Sequence, residues 1–159
     1  MKKILIAMDD SKGAMKAVEY VAQQYGGAQD LTVVLAHVLP NLPSIFWDEG
    51  HILSEEEKKE RSRVVDKWIA DRRAKMEPVF RKAVSVLSAQ GIPEQRIQTR
   101  SISDSTDVAA SLLEEARDGG CQTIVTGRRG IAETKYLLMG SVTNKIVTQG
   151  SGMAITIVE

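Results

Sequence analysis

The sequence contains few of the residues that build disulfide bonds or zinc sites. Among its 159 residues there is one cysteine, Cys121, and there are two histidines, His37 and His51. One cysteine excludes an intrachain disulfide, and so small a set of thiols and imidazoles makes a cysteine/histidine zinc site implausible. We therefore expect a protein of the reducing cytoplasm.

The chain also lacks an excess of charge of either sign. Its 21 lysines and arginines are balanced by 21 aspartates and glutamates, so the basic surface expected of a nucleic-acid binder is missing. The apolar stretch behind Lys2 and Lys3 stops at Asp9, which is too short for a signal peptide or a membrane span. We expect no nucleic-acid or membrane partner, and a single domain over residues 1–159.

Short apolar runs alternate along the chain with segments of helical periodicity. The runs predict five strands, at residues 3–8, 31–38, 96–102, 121–126 and 153–158, with the third nearer a sheet edge. Helical spacing predicts helices after Ser11 and Ser54, over 108–116, and from about 141 to 148. This order predicts an α/β fold: one open, mostly parallel five-stranded sheet with helices on both faces, as in Rossmann-like proteins.

The middle of the chain is the least regular part. Residues 41–53 indicate a surface loop, and its adjacent aromatics Phe46 and Trp47 could cover a cleft, dock a partner or pack over the sheet edge. Ser54 and Glu57 then fit a capping box at the start of a long helix. We expect Pro78 to kink or split that helix, because proline lacks the amide proton.

Ligands of open α/β sheets bind beyond the carboxyl ends of the strands, near the point where strand order reverses. Three segments should meet there: residues 9–11 after the first strand, 38–40 after the second, and 127–143 after the fourth. His37, late in the second strand, is more typical of a satisfied strand-end histidine than of a catalytic base. Cys121 is expected to be a small buried apolar side chain.

The segment after the fourth strand has an unusual glycine pattern. Gly127 and Gly130 are followed, after nine residues, by Gly140 and Ser141 at the start of the last predicted helix. A helix start offers unpaired amide protons and a positive dipole end, which favour a phosphate oxygen. Alternatively, the glycines serve only tight turns and Ser141 only caps its helix.

These residues resemble the universal stress protein family, in particular its ATP-binding subgroup with a Gly-x2-Gly-x9-Gly-Ser motif. The resemblance extends to the Ile-Leu-Ile-Ala-Met-Asp opening, the His-Val-Leu-Pro after the second strand, and the Gly-Ser-Val-Thr at 140–143. It implies a fold of the adenine nucleotide α-hydrolase type, with five strands and four helices. It also implies a cleft at the strand ends that binds ATP, or ADP or AMP, together with magnesium.

The resemblance implies a nucleotide-binding role for ten positions: Asp9, Val38, Gly127, Arg128, Arg129, Gly130, Gly140, Ser141, Val142 and Thr143. Asp9 would lie near the nucleoside and a phosphate bridged by magnesium, and Val38 would offer backbone atoms to the adenine edge. Gly127 and Gly130 would admit the ribose and phosphates, and the 140–143 segment would hold the phosphate tail. The two arginines could either contact phosphate or point into solvent.

Two features depart from the family pattern. Asp10 stands where the family usually has glycine, and its carboxylate should repel a triphosphate unless a cation intervenes or the side chain points away. The usual proline before the last strand is missing at Gly152-Met153-Ala154. Because the last strand of this family often pairs with its twin, we still expect a homodimer through residues 153–158.

Two functions remain open at this point. The first is an ATP-binding stress or signalling regulator with slow or no hydrolysis, since the chain has no Gly-x-x-x-x-Gly-Lys-Ser/Thr motif and no evident base for an attacking water. The second is a dimeric protein-interaction module that keeps the fold without using a nucleotide. An adenylating enzyme is disfavoured, because the Asp-Asp-Ser-Lys-Gly-Ala at 9–14 is not the loop such enzymes need.

Overall fold

The computed structural model describes residues 1–39, 41–42, 52–130 and 139–159. Five strands run over β1 Lys2–Ala7, β2 Leu31–Val38, β3 Ile97–Ile102, β4 Thr123–Gly127 and β5 Ala154–Val158. Four α-helices run over α1 Lys12–Tyr25, α2 Glu55–Ala89, α3 Val108–Asp118 and α4 Ser141–Gln149, and a short 3-10 helix covers Glu94–Arg96.

The strands form one parallel sheet in the order β3-β2-β1-β4-β5. The strand order reverses between β1 and β4, because the chain first builds outward through β2 and β3 and then returns to the other side of β1. β3 and β5 are the edge strands, so the expected edge position of the third strand is confirmed. The expected α/β architecture with a parallel five-stranded sheet is confirmed as well.

Each face of the sheet carries its own apolar core. On one face, Ile4 and Ile6 of β1 pack with buried residues of α1 and α2, among them Val18 and Phe80. On the other face, the intervening Leu5 belongs to the core that α3 and α4 cover. The central strands read as unbroken apolar runs because both of their faces are buried.

Of the two expected effects of Pro78, a kink or a split, the split is excluded because helix α2 is continuous. Pro78 lies inside the 35-residue helix and is exposed. Proline has no N–H to donate to the carbonyl of Ala74, four residues earlier. Because Pro78 and Ala74 are both exposed, water can bond to that carbonyl instead. Met76 and Phe80, both buried, anchor the helix on either side of the proline. The predicted capping box is present between Ser54 and Glu57.

The fourth strand begins two residues later than expected. The amide of Cys121 donates to the carbonyl of Ala116 at 2.8 Å, so this residue closes the end of α3 instead of joining the sheet. Gly120, with φ 67°, makes the turn that this closure requires. Cys121 is buried, as expected, and burial raises the pKa of its thiol.

Candidate functional site

A cavity of about 310 Å³ opens at the carboxyl ends of the strands. Residues following β1 and β4 line it, so it lies at the point where the strand order reverses, which is the usual ligand position in open α/β sheets. Its volume is at the lower end of the range for small-molecule sites, about 300–1,000 Å³. One part of its wall is apolar and includes Val38, Val108 and Leu112.

Residues at the starts of three helices, α1, α3 and α4, line this cavity, and the helices differ in how their first amides are capped. The side chain of Ser11 accepts a hydrogen bond from Ala14 at the start of α1, and Asp107 accepts one from Ala110 at the start of α3. Helix α4 has Gly140 at its N-cap position, and no side chain of the described residues caps it. The first amides of α4 are therefore the ones left for a ligand.

Ser141 is the first residue of α4, so the alternative in which it merely caps this helix is wrong. Both Gly140 and Ser141 line the cavity, as does Val142. A helix start without a cap presents its amide protons and the positive end of its dipole to whatever occupies the space in front of it. In this chain that space is the cavity.

The three glycines of the motif differ in how closely neighbouring atoms surround them. A methyl group on Gly127 would lie 2.6 Å from the backbone of Gly13, and one on Gly130 would lie 2.9 Å from Oδ2 of Asp9. A methyl group on Gly140 would meet its nearest neighbour, the carbonyl oxygen of Arg128, at an ordinary 3.5 Å. Among the described residues, close backbone packing explains Gly127 and the hydrogen-bonded carboxylate of Asp9 restricts Gly130, whereas no close contact explains Gly140.

Asp9 lines the cavity, whereas Asp10 does not. Oδ1 of Asp9 accepts a hydrogen bond from the amide of Ser11 at 2.9 Å, which fixes the carboxylate at the end of β1. Asp10 is exposed. The extra carboxylate that departs from the family pattern therefore points away from the cavity.

The adjacent arginines lie in different surroundings. Arg128 forms an ion pair with Glu159 and is not part of the cavity wall. Arg129 lines the cavity, and its Nε atom is buried with no hydrogen-bond partner among the described residues. Arg129 is therefore the one of the two arginines whose side chain a ligand in the cavity would meet.

The hydroxyl of Thr143 is used inside the protein. Thr143 is buried, and its Oγ1 donates to the carbonyl of Gly127 at 2.9 Å and lies 3.4 Å from Oγ1 of Thr126. Thr143 is not among the residues that line the cavity, whereas Thr126 is. The hydroxyl of Thr143 therefore holds the start of α4 against β4 instead of facing the cavity.

His37 is a wall residue that the sequence analysis assigned only to the strand end. Its Nδ1 lies 2.9 Å from the carbonyl oxygen of Met8, as expected for a satisfied histidine, and His37 is also one of the residues that line the cavity. Val108 and Leu112 also line the cavity, although the sequence predicted only that they belong to a helix over 108–116. The signal that could have found these residues is their position at the carboxyl ends of β2 and at the start of α3. Phe46 and Trp47 lie outside the described residues.

The described part of the chain shows neither a protein-built metal site nor a membrane helix. No three histidine, cysteine, aspartate or glutamate side chains in it come together to hold a metal ion. None of its helices is both long and apolar enough to cross a lipid bilayer.

A parallel sheet with helices on both faces, and with a cavity where the strand order reverses, is the architecture of a doubly wound α/β protein. The chain belongs to the universal stress protein family, whose model matches residues 1–153. Universal stress protein YxiE of Bacillus subtilis (strain 168) is 25% identical over 154 residues, which cover 91% of this chain and 90% of that protein.

Two solved structures show the same fold at low sequence identity. The hypothetical protein MJ0577 superposes with a TM-score of 0.71 at 21% identity, over 99% of this chain and 94% of that one. The universal stress protein of Archaeoglobus fulgidus in complex with dAMP superposes with a TM-score of 0.59 at 16% identity, over 100% of this chain and 98% of that one.

Proposed function

We propose that the cavity binds an adenine nucleotide, ATP or its products ADP and AMP, and that its occupancy makes this chain a stress or signalling regulator of the cytoplasm. The start of α4 at Gly140 carries the proposal, because it is the one of the four α-helix starts that no described side chain caps. The dAMP complex of the Archaeoglobus fulgidus relative supports an adenine nucleotide as the ligand class.

The two ends of the cavity suit the two ends of a nucleotide. The amides of α4 and the guanidinium of Arg129 would bind the phosphates, which are the charged end of such a ligand. The apolar wall with Val38, Val108 and Leu112 would take the flat base. Gly140 leaves room for a phosphate to approach the backbone, which gives a reason for a glycine that packing does not require.

Magnesium would depend on the nucleotide. Asp9 is the carboxylate of the described cavity wall, and a single carboxylate is too few for a protein-built magnesium site. Magnesium is commonly held by one or two carboxylates together with substrate phosphates. Asp9 fits that role if the phosphates supply the remaining oxygens.

Rapid hydrolysis is not expected of this site. The chain has no Gly-x-x-x-x-Gly-Lys-Ser/Thr loop to cradle the β- and γ-phosphates. At most we expect a slow ATPase, so the regulatory signal would be the bound nucleotide itself.

We also propose a homodimer through β5. This strand is at the sheet edge, and Ile157 exposes 37% of its surface there. An open edge strand with an exposed apolar residue favours pairing with a second copy. Sedimentation equilibrium should give twice the chain mass of 17.4 kDa, and a mass of one chain would overturn this part of the proposal.

The two neighbouring arginines provide a matched experiment on nucleotide binding. Arg129→Gln removes the charged group in the cavity wall, whereas Arg128→Gln removes a neighbouring charge that pairs with Glu159 and lies outside that wall. A lost charge-assisted hydrogen bond costs about 1.5–3 kcal/mol, so we expect Arg129→Gln to weaken ATP binding roughly 10- to 100-fold in calorimetric titration. Arg128→Gln should bind within about twofold of the unmodified protein. Equal effects of the two substitutions would refute the placement of the phosphates at Arg129.

A further inference from the structure

His37 lies at the end of the cavity that is remote from the uncapped helix start. It is the penultimate residue of β2, while the glycine motif follows β4, and β1 lies between these two strands. Neighbouring strands are about 4.8 Å apart, so the ends of β2 and β4 are separated by about 10 Å. A nucleotide with its phosphate at α4 therefore has its base, not its phosphate, within reach of β2.

The hydrogen bond of His37 fixes which ring nitrogen carries the proton. Nδ1 lies 2.9 Å from the carbonyl oxygen of Met8, and a carbonyl only accepts, so Nδ1 must be the donor. In the neutral imidazole the other nitrogen, Nε2, is then an acceptor. No described group bonds to Nε2, and His37 is one of the residues that line the cavity.

We propose that Nε2 of His37 reads the base by accepting a hydrogen bond from its exocyclic amino group. This inference rests on the proposed nucleotide function and goes beyond it, because it names the group that distinguishes one base from another. Adenine carries an amino group at C6, whereas hypoxanthine carries a carbonyl oxygen at the same place. An acceptor at Nε2 can take a hydrogen bond from the amino group but can form none with the oxygen, which is also an acceptor. The site should therefore bind 6-amino purines more tightly than 6-oxo purines.

The test compares AMP with inosine monophosphate, which differ in the group at C6 and in the proton that hypoxanthine carries on the neighbouring N1. His37→Asn keeps an amide donor at about the position of Nδ1, and so keeps the bond to Met8, but it has no atom in place of Nε2. His37→Gln is the matched control, since its longer side chain restores a polar group near the position of Nε2. Both variants and the unmodified protein are titrated with each nucleotide by calorimetry.

We expect the unmodified protein to prefer AMP by about tenfold, as one hydrogen bond at stake allows. His37→Asn should weaken AMP binding about 5- to 10-fold and change inosine monophosphate binding less than about twofold, and His37→Gln should recover part of the preference. An unchanged ratio of the two affinities in His37→Asn would overturn the role of His37 while leaving nucleotide binding intact. If the unmodified protein binds neither nucleotide, both this inference and the proposed function are wrong.

A measurement on the unmodified protein makes the test independent of how the variants fold. The chain has two histidines, so its imidazole nitrogens give few nitrogen-15 signals, and His51→Gln assigns them. Saturation with AMP should shift the Nε2 signal of His37, because that nitrogen then accepts a hydrogen bond. An Nε2 signal that AMP leaves in place would overturn the inference.

Discussion

A carboxylate placed at Gly140 should stabilise the protein and at the same time abolish nucleotide binding. Aspartate is among the best N-cap residues, and Gly140 is an N-cap that no described side chain assists. Its φ of −63° and ψ of 153° suit any residue, and a methyl group there would lie 3.5 Å from its nearest described neighbours, so Gly140→Asp fits among the described residues. Better capping and the helix dipole together predict a gain between a few tenths and about 1 kcal/mol.

The same carboxylate would occupy the place that we assign to a phosphate. Two unit charges about 4 Å apart near a protein surface repel by about 4 kcal/mol, which corresponds to several hundredfold in the dissociation constant. The first amides of α4 would also be bonded to the new side chain and no longer free for the ligand. The two effects therefore have opposite signs, and a general loss of structure cannot mimic them.

The assay combines thermal unfolding without ligand and calorimetric titration with ATP. For a chain of this size, a gain of 1 kcal/mol raises Tm by about 2–4 °C. Gly140→Asn is the matched control, because asparagine caps equally well but brings no charge, so it should give a similar Tm and a smaller loss of affinity. A stabilised Gly140→Asp variant that still binds ATP with unchanged affinity would refute the assignment of the phosphate to α4.

Two further predictions concern the fold around the site. Gly13→Ala places a methyl group in steric clash with the carbonyl oxygen of Arg129. Thermal unfolding should therefore show a free energy of unfolding lower by about 1–3 kcal/mol. A Tm equal to that of the unmodified protein would contradict this close approach. The hydrogen bond from Lys145, helped by the amide of Ala110, lowers the pKa of Asp107. A carboxyl whose pKa is lower in the folded state stabilises the protein above its ordinary pKa of about 3.9 and loses this contribution as the pH falls through the folded value. Melting curves of Asp107→Asn in acid should therefore depend less on pH than those of the unmodified protein, and identical pH profiles would exclude the linkage.

The architecture could be predicted because periodicity and burial are local properties. β2 was expected over 31–38 and lies at Leu31–Val38, since a strand covered on both faces is apolar throughout. The expected split at Pro78 is absent because the proline faces solvent and buried residues on both sides hold the helix. The spacing of the apolar residues does not reveal either fact.

The contacts that determine the chemistry of the site could not be predicted from the spacing of residues along the sequence. Gly127 fits the motif, but its close approach to Gly13 is a contact between segments more than a hundred residues apart. Arg128 and Arg129 are adjacent and chemically identical, and only the folded chain places one in the cavity wall and pairs the other with Glu159. The cavity role of His37 depends on the alignment of β2 beside β1, which sequence periodicity does not specify.

The central claim is that the cavity at the carboxyl ends of β1 and β4 holds an adenine nucleotide. The most direct test is to denature the freshly purified protein, identify any released nucleotide by chromatography and mass, and titrate the emptied, refolded protein with ATP and magnesium. We predict an adenine nucleotide bound at about one per chain, as expected for a single switch-point cavity. A protein that carries no nucleotide and binds none on titration would contradict the claim and favour a protein-interaction module with this fold.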